Sequence, residues 1–137
     1  MRKAFTMIEV IFVLVVIGIL GGIAIPKFAA TRDDAFITKA RATVGAVRSA
    51  LSTEKQKRIL RGDFNQTISW NSGGVFDANN AEILEYDVKS CTGTGCWERV
   101  DSTTFKFHGP GGTTCTYNLN NFHFDKNTSD CNVPNMP

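Results

Sequence analysis

Apolar and polar positions divide this 137-residue chain into three stretches. Phe5 to Ile25 is an apolar run with a single charge in it, Glu9. As a helix, such a run would measure roughly 31 Å, about the thickness of a bilayer's hydrocarbon core. Beyond Pro26 the period changes. Ile37, Ala40, Val44, Val47 and Leu51 follow alternating steps of three and four, which lines them up as one apolar stripe on a helix. Arg41, Arg48 and Lys55 fall on other faces. Lys55, Lys57, Arg58 and Arg61 crowd the far end, where the helix dipole favours cations, and Gly62 is a natural stop. The helix is therefore predicted to run to about Leu60, its stripe forming the floor for a head.

The rest of the chain reads differently. Residues 62–80 have loop composition, with Asn71-Ser72-Gly73-Gly74 as a turn cluster. A short helix is predicted over Ala81–Asp87, where Ile83 and Leu84 are flanked by Glu82 and Glu85. From Trp97 the pattern has period two. Thr103–Phe107 is a strand with Phe105 and Phe107 on one face. Gly109-Pro110-Gly111-Gly112 is a turn, Thr114–Leu119 a second strand, and Phe122–Phe124 a short third after Asn120-Asn121. An antiparallel sheet of about three strands against the helix stripe gives a two-layer α+β head.

Charge and cysteine usage sharpen this outline. The near-neutral total conceals an asymmetry: residues 27–61 hold nine Lys/Arg against three Asp/Glu, and residues 62–137 hold four against nine. A basic rod joined to an acidic head could be self-complementary between copies, or could be a solvated helix face beside an ordinary surface. All four cysteines, Cys91, Cys96, Cys115 and Cys131, lie in the last third. An even count in a small domain behind a membrane-length segment points to disulfides in an oxidising compartment. Three pairings are possible; the local one, Cys91–Cys96 with Cys115–Cys131, is favoured. Zinc is the alternative, but there is no CxxC pair and His108 and His123 lack ligand spacing.

The N-terminus departs from an ordinary secretory signal. Its apolar run is longer than such a signal needs, carries Glu9, and continues past Pro26 into a polar helix. Arg2 and Lys3 favour a cytoplasmic basic end, with the rest of the chain crossing. Ala4-Phe5-Thr6-Met7-Ile8-Glu9-Val10, followed by an apolar stretch, Gly18 and Pro26, resembles the type IV pilin and pseudopilin family. In that family a prepilin peptidase of the inner membrane cuts just before a Phe or Met and methylates the new amine. The resemblance implies cleavage between Ala4 and Phe5, methylation of Phe5, and Glu9 as the fifth residue after the cut. The residue before the cut is usually Gly in the family; here it is Ala4, a minority choice. The motif covers about 30 residues, and the C-terminal half matches only in layout. Ile25-Pro26-Lys27 and Thr31-Arg32-Asp33-Asp34-Ala35 look more like pseudopilins of type II secretion or competence systems than like a major adhesive pilin.

What the resemblance implies has a physical basis. A free amine in lipid is as costly as a carboxylate, and each relieves the other if they meet. Glu9 lies one helical turn from its own amine, but in a staggered filament the amine of an incoming subunit could reach it instead. That pair would fix axial register, since any other stagger buries a lone charge. The competing reading is a glutamate that snorkels to the interface. Gly18, Gly22 and Pro26 weaken the helix, glycine by about 1 and proline by about 3 kcal/mol relative to alanine. In the family this stretch can bend or melt during assembly. Gly18 and Gly22 also form a GxxxG pair that permits close helix contact.

The expected organisation is a leader (1–4), a membrane and filament-core helix (5–26), its amphipathic continuation (27–61) and a periplasmic head (62–137). The expected partners are like and unlike pilin subunits, the prepilin peptidase, an inner-membrane assembly platform and the inner membrane itself. The filament would serve type II secretion or DNA uptake. One rival is a minor pilin whose tip binds DNA or another substrate; the acidic head disfavours direct nucleic-acid binding. Another is a membrane-tethered enzyme, but the sequence supplies no catalytic set and no cofactor pattern. Asp125 and Asp130 form only a thin calcium ligand set. Asn65-Gln66-Thr67 and Asn127-Thr128-Ser129 fit the glycosylation acceptor pattern. Each has an aspartate two residues upstream, which resembles the extended acceptor of bacterial N-glycosylation.

Overall fold

The computed structural model describes residues 5–64, 67, 68, 70, 74–78 and 81–137. It resolves into two compact units, one ending at Asp34 and the other beginning at Ala35. The element α1 (Met7–Leu60) contributes to both.

In the first unit, α1 starts where a capping sequence places it. Thr6 precedes the first helical residue, and its hydroxyl and carbonyl both accept from the Glu9 N–H, at 3.4 and 3.1 Å. Thr-x-x-Glu is the sequence form of a capping box. Beyond it the apolar side chains are exposed on all sides, Phe12, Leu14, Ile17, Leu20 and Ile23 among them. This stretch is long and apolar enough to cross a membrane, and nothing in the unit covers it.

The second unit contains the only hydrophobic core among the described residues. Ile37, Ala40, Val44, Val47 and Leu51 are all buried, as the stripe requires. They share one cluster with Val75, Phe76, Trp97, Phe105, Phe107, Tyr117 and Phe124. The helix ends as Gly62 predicts. Gly62 has φ +76, its N–H donates to Ile59 O at 3.0 Å, and the Asp63 N–H donates to Arg58 O at 2.9 Å. That pair of bonds is a Schellman cap, which a residue with a Cβ would form only under strain.

The sheet has four antiparallel strands in sequence order, one more than predicted. They are β3 (Cys96–Arg99), β4 (Thr104–His108), β5 (Thr114–Asn120) and β6 (His123–Lys126). Trp97 pairs with Phe107 and Phe107 with Cys115; Phe105 pairs with Tyr117, and Leu119 with Phe124. This register puts the aromatic side chains on the core face, where Tyr117 and Phe124 stack at 4.9 Å between ring centres. The third predicted strand begins late: Phe122 belongs to a turn, and the strand starts at His123. Asn121 and Phe122 have φ +48 and +65, the positive pair that a two-residue hairpin of the primed type needs.

The helix predicted over Ala81–Asp87 does not form. Ala81–Glu82 is instead a short strand, β2, paired with β1 (Asp77–Ala78). Seven residues offer too few helical bonds to repay nucleation. Ile83 is buried in the core instead. Between β4 and β5, Pro110–Gly112 forms a single 3-10 turn.

Both disulfides follow the local pairing, Cys91–Cys96 and Cys115–Cys131. The second bridge ties the segment after β6 to the centre of the sheet. That segment is held further by Tyr117, whose hydroxyl donates to Pro137 O at 3.0 Å, and by Arg41, which donates to Pro134 O at 3.3 Å. Burial raises the Tyr117 phenol above its ordinary pKa, partly opposed by the Arg48 charge.

Candidate functional site

The predicted assembly residues lie in the first unit. Glu9 is exposed, as is Phe5 one turn before it. The two border a shallow hollow of about 280 Å³ with Val10, Val13 and Leu14. A carboxylate beside an open apolar hollow is suited to receive a cationic group that arrives together with apolar surface. Ala4 lies outside the described residues, so the structure does not place the expected cleavage bond. α1 is helical without interruption through Gly18, Gly22 and Pro26. A Cβ added at Gly18 or Gly22 would meet nothing within 4 Å, so the GxxxG notch is open.

The other singled-out residues are in the second unit. Asn65 lies outside the described residues. Asn127 caps a short 3-10 turn (Thr128–Asp130): its Oδ1 accepts from the Ser129 N–H at 3.2 Å, and its Nδ2 donates to Asp130 Oδ2 at 2.9 Å. A glycan on Nδ2 would replace one of its two hydrogens and leave one N–H to donate. His108 lies on β4, its Nε2 2.8 Å from Glu98 Oε2 on β3. His123 is exposed at the start of β6. Among the described residues there is no group of three or more His, Cys, Asp or Glu able to hold a metal ion.

The basic residues divide into two sets that the sequence does not separate. Arg41 and Arg48 donate to backbone carbonyls, Arg48 Nε to Phe124 O at 2.9 Å. Arg58 is buried, with Nε 3.0 Å from Glu54 Oε1, Nη1 2.7 Å from Thr67 O and its guanidinium over the Phe122 ring. Lys57 and Arg61 remain exposed. Thr6 as helix cap and Arg58 as a buried clamp both escape a residue-by-residue reading. The signals were there, in the Thr6-x-x-Glu9 spacing and the four-residue step from Glu54 to Arg58. At Asp101, the Thr103 N–H is the main group holding the carboxyl below its ordinary pKa, assisted by Thr104 and the Thr103 hydroxyl. This fixes the β3–β4 turn.

An uncovered apolar helix with a carboxylate near its start, together with a small disulfide-bonded α+β head, defines a pilin-like protein. Comparison with known proteins agrees. The chain is 34% identical over 119 residues to the type IV narrow pilus major component PilA5 of Thermus thermophilus, covering 85% of this chain and 95% of that protein. The chain belongs to the type IV pilin family. No family model matches it, and no solved structure does.

Proposed function

We infer that the protein is the structural subunit of a type IV pilus-like filament, made as a prepilin and matured before assembly. The observation that carries this reading is the first unit: an apolar helix exposed on every side, with Glu9 beside an open hollow. Such a surface needs lipid before assembly and other copies of itself afterwards. The prepilin peptidase cuts between Ala4 and Phe5 and methylates Phe5. The basic leader stays cytoplasmic, residues 5–26 sit in the inner membrane, and the head lies in the periplasm. An assembly platform then draws the subunit into the filament. There the Phe5 amine of one copy meets Glu9 of its neighbour and sets the stagger, while Gly18, Gly22 and Pro26 let the helix yield as it leaves the bilayer. The chain works mechanically and catalyses nothing.

The likeness to a pilus component supports a pilus over a secretion pseudopilus. The Ile25-Pro26-Lys27 pattern favours a second reading, a short filament for type II secretion or DNA uptake. A DNA-gripping tip module is less well supported, because Arg41, Arg48 and Arg58 are spent on contacts within the chain.

The test is Glu9→Ala in the organism that makes the protein. Membrane insertion and leader removal should persist while sheared filaments disappear; filaments at the normal yield would contradict the reading. Intact mass of the unaltered protein should show loss of Met1–Ala4, one added methyl group and the hydrogens removed by two disulfides. A retained leader would count against the maturation scheme.

A further inference from the structure

The head carries two exposed surfaces that complement each other and lie apart. One is a groove of about 410 Å³ beside the β1–β2 ribbon, with Phe76, Leu84 and Tyr86 as apolar walls and Asp77, Glu85 and Asp87 as its charged groups. No cation lines it. Tyr86 is 76% exposed, although a ring of that size usually finds cover. Asp77 is engaged within its own chain, so the available charge is that of Glu85 and Asp87. The other surface is the end of α1 and the turn after it. Ile59, Leu60 and Phe64 are 50, 87 and 75% exposed, and Lys57 and Arg61 stand exposed between them. The one carboxylate of that stretch, Asp63, is also engaged within the chain.

We propose that these two surfaces form a contact between copies: the Lys57–Phe64 end of one subunit seats its apolar side chains in the acidic groove of another, with Lys57 and Arg61 facing Glu85 and Asp87. This rests on the filament reading above and names one of its interfaces. The occupant is a second copy because the two surfaces match in both respects at once, apolar against apolar and cation against carboxylate. Within one molecule they do not meet. Tyr86 and Asp87 border a second cavity whose helix residues are Lys39, Ala40 and Thr43. From Ala40 to Ile59 the helix advances about 28 Å. A contact between different patches on identical subunits is heterologous and, where the rotation does not close, builds an open helical array. Repeated from copy to copy in the filament, the groove and the knob would build such an array.

The test uses the full chain in the organism that makes it. Arg61→Glu and Glu85→Lys are each expected to lower the yield of sheared filaments roughly tenfold, and the two combined to restore most of it. Both positions are exposed. The detergent-solubilised variants should keep both disulfides and an unchanged thermal transition, which separates lost contact from lost fold. In a second measurement, Leu60→Cys and Tyr86→Cys are placed in separately tagged copies that assemble together, and the filaments are treated with a short bismaleimide. Cross-links joining a Leu60→Cys copy to a Tyr86→Cys copy are expected. Single reversals without effect, a combined variant no better than the worse single one, or cross-links only between like-tagged copies would overturn the proposal while leaving the filament reading intact. If the unaltered chain made no filament, both would fall.

Discussion

Arg58 and Phe122 support each other at a strained point. Phe122 occupies a left-handed backbone position that bulky residues rarely adopt, and it is nevertheless buried. Its ring lies under the Arg58 guanidinium, which also pairs with Glu54 and caps the Thr67 carbonyl. Removing Arg58 would strand a buried carboxylate and uncover the ring together. Arg58→Ala should therefore destabilise the head by about 3 kcal/mol, the low end for breaking a buried pair. Chemical denaturation of the detergent-solubilised chain would measure it. Arg58→Ala combined with Glu54→Gln should recover part of the loss, because no charge is then left alone. In the sequence Arg58 is one of four cations at a helix end, alike in type and location. Which of them is buried depends on Thr67 and Phe122, and neither is a helix neighbour. Glu9 is legible for the opposite reason: a lone charge in a long apolar run needs no tertiary context to stand out.

The elements show the same division between local and distant information. The helix stripe and the Gly62 stop depend on spacing within a few residues, and both are read correctly. Strand β4 alternates in burial, with Phe105 and Phe107 inward, and β5 alternates in residue type although Thr116 is buried as well. Strand β3 is half legible: period two is read from Trp97, but no strand is predicted over Cys96–Arg99, which pair with β4. The β1–β2 ribbon, mistaken in part for a helix, likewise exists only through its partner strand. The disulfides join what such pairing leaves loose. Cys115 is fully buried in β5, and Cys131 lies in the tail that follows β6. Closing that loop should contribute about 3 kcal/mol in the chain-entropy model. Replacing Cys115 and Cys131 together by Ala should lower the denaturation midpoint accordingly, with the Arg48 to Phe124 contact and the sheet still formed. Replacing Cys91 and Cys96, which close a shorter loop, should cost less. Thermal unfolding of the two variants side by side would show the order.

Taken whole, the chain joins two units with opposite needs. The second has its own core, two disulfides and a stripe of α1 sealed beneath the sheet. The first has no core, and its large side chains find no cover in the single chain. At about 25 cal/mol per Å² of apolar surface removed from water, such a face strongly favours lipid or neighbouring copies over solution. Separating the units should therefore separate the behaviours. A fragment of residues 27–137 retains the whole stripe and sheet while shedding the apolar run. It is expected to be soluble, to unfold in one cooperative step, and to sediment as a monomer at physiological salt. Aggregation of an otherwise folded fragment would show that the head, and not the apolar helix, drives association. The acidic groove and the cationic end of α1 remain in that fragment, so at low ionic strength and high concentration weak head-to-tail association should emerge and vanish as salt is added, because exposed charges are screened beyond about 10 Å at 0.1 M. A contact too weak to hold two heads together in solution would still count in the proposed filament, where the apolar helices would bring the heads close and the charged surfaces would need only to choose which neighbour each one meets.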